Sequence, residues 1–429
     1  ELLKKLVVEF KDELDALGVK VDELDARVAD LEKGVGKWYF SGDFRFTAKW
    51  FDGFEDTTWT VDRFRWNIRK VVDDKVTMNV RLQGGGGADL AIVRAYATVK
   101  FPAIGVTMNV GRLPLDWEGD FYATDHPGFN MNDAYITDFD PLTTAFHFIK
   151  PFSMGSFELF VAHDEVQDFE TVLMDSNWLP PLVPLYDEWT FASERYVYGA
   201  RLAFNFSEMF SLAVNYVKYD YADNALYNVW AYDGSGSQWL NSNWFNTVYS
   251  LAADWSTLWG DLIVHFVPGV TFKGQYFMQD LDPAWTTVTG YADNSPNAWK
   301  AILDVDQDVL KFTSLWIEYA QIDQGFVFGP DPYGWARTSR FLGDYNQAIA
   351  DTKVLNIVAK QNWNEKWATY VRYADFDVDL VNRDYYAWSA SVLYHYTPNI
   401  FFELGFDKYG GDGAPADDQM IWFRTYVSF

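Results

Sequence analysis

The sequence predicts an all-β fold, a transmembrane antiparallel β-barrel of about 18 strands, preceded by an N-terminal α-helical coiled coil. Two patterns support this prediction. From residue 38 to the last residue, apolar and polar side chains alternate with a period of two, which is typical of β-strands because successive side chains point to opposite faces. Over residues 1–36, apolar residues instead recur at spacings of three and four, which is typical of a coiled coil. We therefore divide the chain into a coiled coil over 1–36 and a barrel over 37–429.

The first barrel strand, WYFSGDFRFTAKWF over 38–51, has the clearest alternation. Its apolar face runs from Phe40 to Trp50, and aromatic residues cluster at both ends. About ten residues tilted by about 40° rise roughly 25 Å, which is the height of a transmembrane barrel's apolar band between its aromatic girdles. No run of about 18 apolar residues occurs, which excludes a helical membrane protein. Short and long connections alternate between the predicted strands. One of the predicted strands is expected over 246–255.

The composition limits the possible partners. The chain has 61 acidic and 34 basic residues, a formal net charge of −27, which argues against nucleic acid because no basic surface is left to release counterions. It has no cysteine, which excludes disulfides and thiolate metal sites. Aromatic residues make up 19% of the chain, so a secreted carbohydrate-binding β-protein is an alternative. Glu1 is not a start residue and no signal peptide is present, so we expect a mature or trimmed chain.

The heptad repeat defines a narrow apolar seam. Its core residues are Val7, Leu14, Val21 and Val28 at position a, and Phe10, Leu17, Leu24 and Leu31 at position d. Charged pairs from g to e, such as Lys20 with Asp25, fit parallel chains, and valine at a with leucine at d favours a dimer. Alternatively, the segment is one amphipathic helix packed on its own domain.

No motif for catalysis stands out. None of the five histidines has the spacing of a metalloprotease motif, and no serine-hydrolase motif is present. We therefore predict that the protein is not an enzyme and has no cofactor and no metal site.

Basic residues in the first five predicted strands alternate with apolar residues. We predict that this basic face lines the pore, because an ionised side chain facing lipid at mid-depth costs roughly 2–4 kcal/mol. The predicted pore-lining residues are Arg45, Arg63, Arg65, Arg69, Arg81, Arg94 and Arg112. Alternatively, these arginines only fill the barrel and pair with neighbouring acids.

The segment after Arg112 is too long for a simple hairpin and has no Lys or Arg up to residue 149. We expect this segment to fold into the lumen and to form the constriction. Its acidic residues Asp116, Glu118, Asp120 and Asp125 would then face the basic wall and create a transverse field. Alternatively, the segment lies outside, over the mouth or against a neighbouring subunit. The acid excess of the long loops also predicts a mild cation preference that weakens with salt.

Several stretches identify a resemblance to a known family. The heptad segment GVKVDELDARVADLEKGV leads directly into WYFSGDFRF, and RFRWNIRK, RAYATVKF, VTMNVGRLPLDW and IWFRTYVSF follow in the barrel. The whole chain resembles the OmpM-type porins, which carry an S-layer-homology domain. The resemblance implies a 16-stranded trimeric outer-membrane barrel that conducts ions and small hydrophilic solutes, with a coiled coil across the periplasm and an upstream domain bound to the cell wall. That domain is absent from this sequence. The resemblance also implies that the terminal Phe429 is part of the signal for barrel insertion.

These expectations together describe a passive diffusion channel in the outer-membrane lipid, a homo-oligomer whose trimeric state rests on the resemblance, with its stalk in the periplasm. The alternatives are a structural tether with a plugged barrel and the carbohydrate-binding protein named above.

Overall fold

The computed structural model describes residues 36–52, 57–85, 88–121, 143–165, 194–221, 254–283, 293–327, 348, 350–379, 384–411 and 418–429. These residues form one 18-stranded antiparallel sheet. The strands are β1 (Trp38–Asp52), β2 (Thr58–Val71), β3 (Val76–Gly85), β4 (Ala88–Phe101), β5 (Val106–Leu113), β6 (Thr143–Phe152), β7 (Gly155–Glu165), β8 (Glu194–Ser207), β9 (Phe210–Tyr221), β10 (Trp255–Val267), β11 (Val270–Leu281), β12 (Asn297–Val305), β13 (Ser314–Ile322), β14 (Thr352–Asn362), β15 (Trp367–Val378), β16 (Tyr385–Thr397), β17 (Ile400–Gly411) and β18 (Asp418–Ser428). The predicted coiled-coil residues of 1–35 and Asp125 lie outside the described residues.

The sheet closes into a barrel. Each strand pairs with its neighbours in sequence, and β1 pairs with both β2 and β18. Closure leaves no unpaired strand edge, which a lipid environment demands because no water is present there to bond free backbone groups. The prediction of about 18 strands is confirmed, and the 16 strands that the family resemblance implied are wrong for this chain.

The connections differ between the two ends of the barrel. At the end where β1 starts and β18 finishes, the described turns are short, and one of them contains the helix α1 (Gln307–Leu310). In the β2–β3 turn, the Asp73 carboxylate accepts the backbone N–H groups of Lys75 and Val76, and these bonds lower the pKa of Asp73. The connections at the other end include the long segments 114–142, 166–193 and 222–254. This asymmetry is the predicted one.

The sequence analysis did not predict one strand, β10. It lies at Trp255–Val267 and pairs with β11, whereas the strand predicted over 246–255 falls mostly outside the described residues, which resume at 254. Trp255, Trp259 and Asp261 lie on the inner side of β10, and Leu258 lies on the outer side. The inner face of β10 mixes large aromatic residues with an acid, which obscures the apolar–polar alternation on which the prediction depended.

The barrel seam is closed by the C-terminal residue. The backbone N–H of Gly42 donates to the Phe429 carbonyl over 2.8 Å, and the Phe429 N–H donates back over 3.0 Å. A Cβ at position 42 would overlap the Phe429 ring, which also lies 6.5 Å from the ring of Phe64. Glycine is therefore required for this close approach between the two terminal strands.

Candidate functional site

The strand register decides which arginines share the inner face of β1–β4. Residues directly opposite each other in an antiparallel pair lie on the same side of the sheet. Arg45 lies opposite Arg63, and Arg81 lies opposite Arg94. Arg65 and Arg69 follow Arg63 at every second position of β2 and therefore have the same orientation. The register thus brings together six of the seven predicted pore-lining arginines.

Arg112 is the exception, and its prediction as a pore-lining residue is wrong. It lies opposite Ala95 of β4 and Thr144 of β6, whereas the inward-facing Thr98 and Asn109 occupy the alternate positions. Arg112 therefore points outward and is exposed. It is the penultimate residue of β5, close to the barrel rim, where an outward charge costs only about 0–1 kcal/mol.

Two of the inward arginines are paired with acids. The Nε of Arg45 donates to Asp62 Oδ1 over 2.8 Å, and the Nε of Arg63 donates to Asp43 Oδ1 over 2.6 Å. Both arginine side chains are 22% exposed. Asp62 sits at a register shift between β1 and β2, which brings an additional side chain into this position. For these two arginines, the alternative that they pair with neighbouring acids holds.

The segment after β5 folds into the barrel. Leu113, Leu115, Trp117 and Phe121 are all buried. The Trp117 ring lies 5.4 Å from the ring of Phe160 of β7 and 6.2 Å from that of Trp259 of β10, and Phe121 belongs to a cluster with Trp316 of β13 and Tyr370 of β15. In the cyclic strand order these strands lie within the arc β7–β15, whose centre, β11, is directly opposite β2. The described part of the predicted constriction segment is thus inside the barrel, on the wall opposite the arginines.

Two cations of this wall, the half-buried Arg201 and the buried Lys300, bind the segment's backbone. The Nη1 of Arg201 donates to the Trp117 carbonyl over 3.0 Å, and the Nζ of Lys300, which is 1% exposed, donates to the Phe121 carbonyl over 2.7 Å. The indole N–H of Trp117 donates to Glu158 over 3.2 Å. Hydrogen bonds to charged groups contribute about 1.5–3 kcal/mol each, so these contacts fix the path of 113–121.

The acidic residues of the segment have different surroundings. Glu118 is wholly buried and presents no surface to the open lumen, so its predicted place on the pore surface is wrong. Asp116 and Asp120 are exposed, and Asp116 accepts the backbone N–H of Glu118 over 3.1 Å. Of the three predicted acids that the structure describes, Asp116 and Asp120 therefore remain exposed inside the barrel.

A hydrogen-bonded polar cluster under the segment was missed by sequence reasoning. Asp261 of β10 accepts hydrogen bonds from Asn215 over 2.8 Å, from Gln275 over 2.9 Å and from Arg201 over 3.3 Å. Arg201 is the side chain that also binds the Trp117 carbonyl. The only sign of this cluster in the β8 sequence is Arg201, a single basic residue in an otherwise apolar stretch. That pattern does not indicate that the other members of the cluster lie on three further strands.

The inner wall of β1–β4 borders a half-open cavity of about 360 Å³. Its lining residues are Tyr39, Ser41, Asn67, Ile68, Arg69, Asn79, Val80, Arg81, Arg94 and Tyr96. In the part of the chain that the structure describes, no group of three or more side chains could hold a metal ion. Among the same residues, no helix has the length and apolar character needed to cross a membrane.

A closed 18-stranded antiparallel barrel with short turns at one end and a segment folded inside is the architecture of outer-membrane porins. Solved structures from Pseudomonas aeruginosa have a similar barrel fold. OccK10 (OpdN) superposes with a TM-score of 0.55 at 9% sequence identity, covering 92% of this chain and 99% of its own. OccK11 (OpdR) gives 0.54 at 10% identity, covering 92% and 96%, and OpdL gives 0.53 at 12% identity, covering 92% and 99%. No protein-family model matches the chain, and no curated protein matches its sequence.

Proposed function

We propose that the protein is an outer-membrane channel through which ions and small hydrophilic solutes diffuse passively. The observation that supports this proposal is that the residues described by the structure fill the barrel unevenly. Segment 113–121 packs on the β7–β15 side, whereas the β1–β4 side keeps half-buried arginines around a polar cavity. A barrel that served only as a tether would gain stability by close packing throughout its interior.

We further propose that the exposed Asp116 and Asp120 face the arginine wall across the narrowest part of the channel. Acid on one side and base on the other produce a transverse field, which orders water and dipolar solutes and disfavours apolar ones. In support, Trp117, between these acids, attaches the segment to the opposite wall, so the acids border the space that is left.

The test is single-channel conductance of the full chain in a planar bilayer, together with swelling of liposomes in sugars of increasing size. Discrete conductance steps and a defined solute cut-off are expected. An absence of steps from correctly folded protein would favour the alternative of a plugged structural tether. Extraction from membranes by salt alone, without detergent, would favour the secreted carbohydrate-binding protein.

The oligomeric state and the stalk are part of this proposal. Residues 1–36 would associate in parallel in the periplasm, and the barrels would form a trimer, with an upstream S-layer-homology domain linking the assembly to the cell wall. The support is the uninterrupted heptad seam of the sequence and its resemblance to OmpM-type porins. A Val21→Cys variant should yield crosslinked oligomers in membranes, and recovery of monomer alone contradicts the parallel stalk.

A further inference from the structure

Two of the inward arginines are held by neutral side chains. The Nε of Arg65 donates to the Gln83 side-chain oxygen over 2.7 Å, and the Nε of Arg81 donates to the Asn67 side-chain oxygen over 2.7 Å. The acid-paired arginines described above use the same Nε geometry. A carboxylate partner cancels much of the charge of a guanidinium, whereas an amide oxygen fixes its orientation and leaves its charge in place.

The orientation also leaves the correct atoms available. A guanidinium that donates its Nε–H to one partner still has its two terminal NH₂ groups, which form the fork that matches the oxygens of a carboxylate or phosphate. Asn67 and Gln83 thus act as positioning residues for Arg81 and Arg65.

The cavity of about 360 Å³ beside these pairs has the composition of an anion site. Three guanidinium groups, two tyrosines and two asparagines are among its lining residues, and none of the lining residues is acidic. The nearest acid on β1, Asp43, is engaged by Arg63 over 2.6 Å. The volume lies in the lower part of the range of small-molecule sites, which is about 300–1,000 Å³.

We propose that this cavity, lined by Arg69, Arg81 and Arg94, binds small doubly charged oxyanions, dicarboxylates or phosphate, on their way through the channel. Several fixed positive charges in a partly desolvated wall favour a dianion over a monoanion. The bound anion must also leave, so we expect a low-affinity binding site that raises the local concentration of the anion at the channel wall. This inference deepens the proposed function and rests on it.

The test is equilibrium dialysis of radiolabelled succinate against the full chain in detergent, with Asn67→Asp as the decisive variant. This change keeps the shape of the side chain and its bond to Arg81 but adds one negative charge beside the cavity. Succinate affinity should fall about tenfold or more, and about tenfold corresponds to about 1.4 kcal/mol. If Asn67 had only a structural role, the stronger ion pair with Arg81 would leave binding unchanged, and that result would overturn the inference.

The chain offers a matched control on another wall. Arg372 of β15 donates its Nε to Asn356 of β14 over 2.9 Å, and both residues are buried and absent from the cavity lining. Asn356→Asp therefore makes the same substitution in an arginine–asparagine pair away from the cavity. In protein that still runs as a folded barrel, succinate affinity should stay within about twofold of wild type. An equal loss in both variants would mean a diffuse field and no site.

Competition separates the ligand class from non-specific attraction. Phosphate should displace succinate at comparable concentrations, whereas displacement by chloride with equal effect at the same ionic strength would refute an oxyanion site. Conductance keeps this inference apart from the proposed function. If the protein conducts KCl but does not bind succinate, only the proposed anion site is contradicted. If it binds succinate but does not conduct, only the proposed channel function is contradicted.

Discussion

Trp117→Ala is expected to release segment 113–121 from the barrel wall. The Trp117 side chain is 6% exposed and packs on Phe160 and Trp259. Burial of an aromatic side chain of about 200 Å² contributes about 5 kcal/mol at about 25 cal/mol per Å², and Trp→Ala changes in cores cost about 3–5 kcal/mol. The two bonds from Arg201 and Lys300 to the segment's carbonyls contribute about 1.5–3 kcal/mol each. The ring is therefore one of the largest contributions to the attachment, beside the buried Leu115 and Phe121, and its loss should raise the population of detached segment 100-fold or more.

The assay for this change is single-channel recording with solute cut-off measured in liposomes. A segment that leaves the wall frees lumen volume, so the variant should have a larger open conductance, more current noise and a larger cut-off. Trp59→Ala is the matched control, because Trp59 lies on the outer face of β2 and is 68% exposed. The variant must first run as a folded, heat-modifiable barrel on gels. Wild-type conductance, noise and cut-off in a folded Trp117→Ala barrel would refute the argument that this ring holds the constriction in place.

Three further changes follow from the same geometry. Gly199→Ala should change conductance in the same direction as Trp117→Ala but by less. The new Cβ overlaps the Phe160 ring, against which Trp117 packs, and overpacking costs about 1–3 kcal/mol. Current noise at the wild-type level would contradict this prediction. Asp43→Asn removes the acid paired with Arg63 and should raise the anion-to-cation permeability ratio roughly twofold, as measured by reversal potentials in a KCl gradient. The wild-type ratio should itself move towards anions between 0.1 M and 1 M KCl, where the Debye length falls from about 10 Å to about 3 Å; a shift towards cations would contradict this expectation.

The fold could be predicted because it depends mainly on a local pattern, the alternation of apolar and polar residues along each strand. A lipid-spanning strand must alternate, and a membrane sheet must close, so strand number and the asymmetry of the connections follow from the sequence. The alternation also placed six arginines on one face. It failed at Arg112, where the strand approaches the rim and the penalty for an outward charge becomes small.

The opposite wall could not be predicted for a different physical reason. Arg201, Asp261 and Lys300 are isolated charges in three separate strands, and their meaning depends on cross-barrel contacts that no local pattern encodes. The same holds for Glu118, which shares its sequence context with Asp116 and Asp120 yet is wholly buried. Charge and spacing indicate that a segment is functional, but the wall that receives it decides which of its residues face the lumen.

The charge of the proposed channel has two parts that respond differently to salt. The chain as a whole has a net charge of −27, whereas the inner face of β1–β4 combines six arginines with Asp43 and Asp62. Most of the acid excess therefore lies elsewhere in the sequence, including 113–149, which has no Lys or Arg. Fields of solvent-exposed charges are screened within about 8–10 Å at moderate ionic strength, but partly buried charges along a low-dielectric wall are screened much less. The expected cation preference at low salt and the proposed anion site are thus compatible. Acids outside the wall govern entry while the Debye length is long, and Arg69, Arg81 and Arg94 of the site govern passage once those acids are screened.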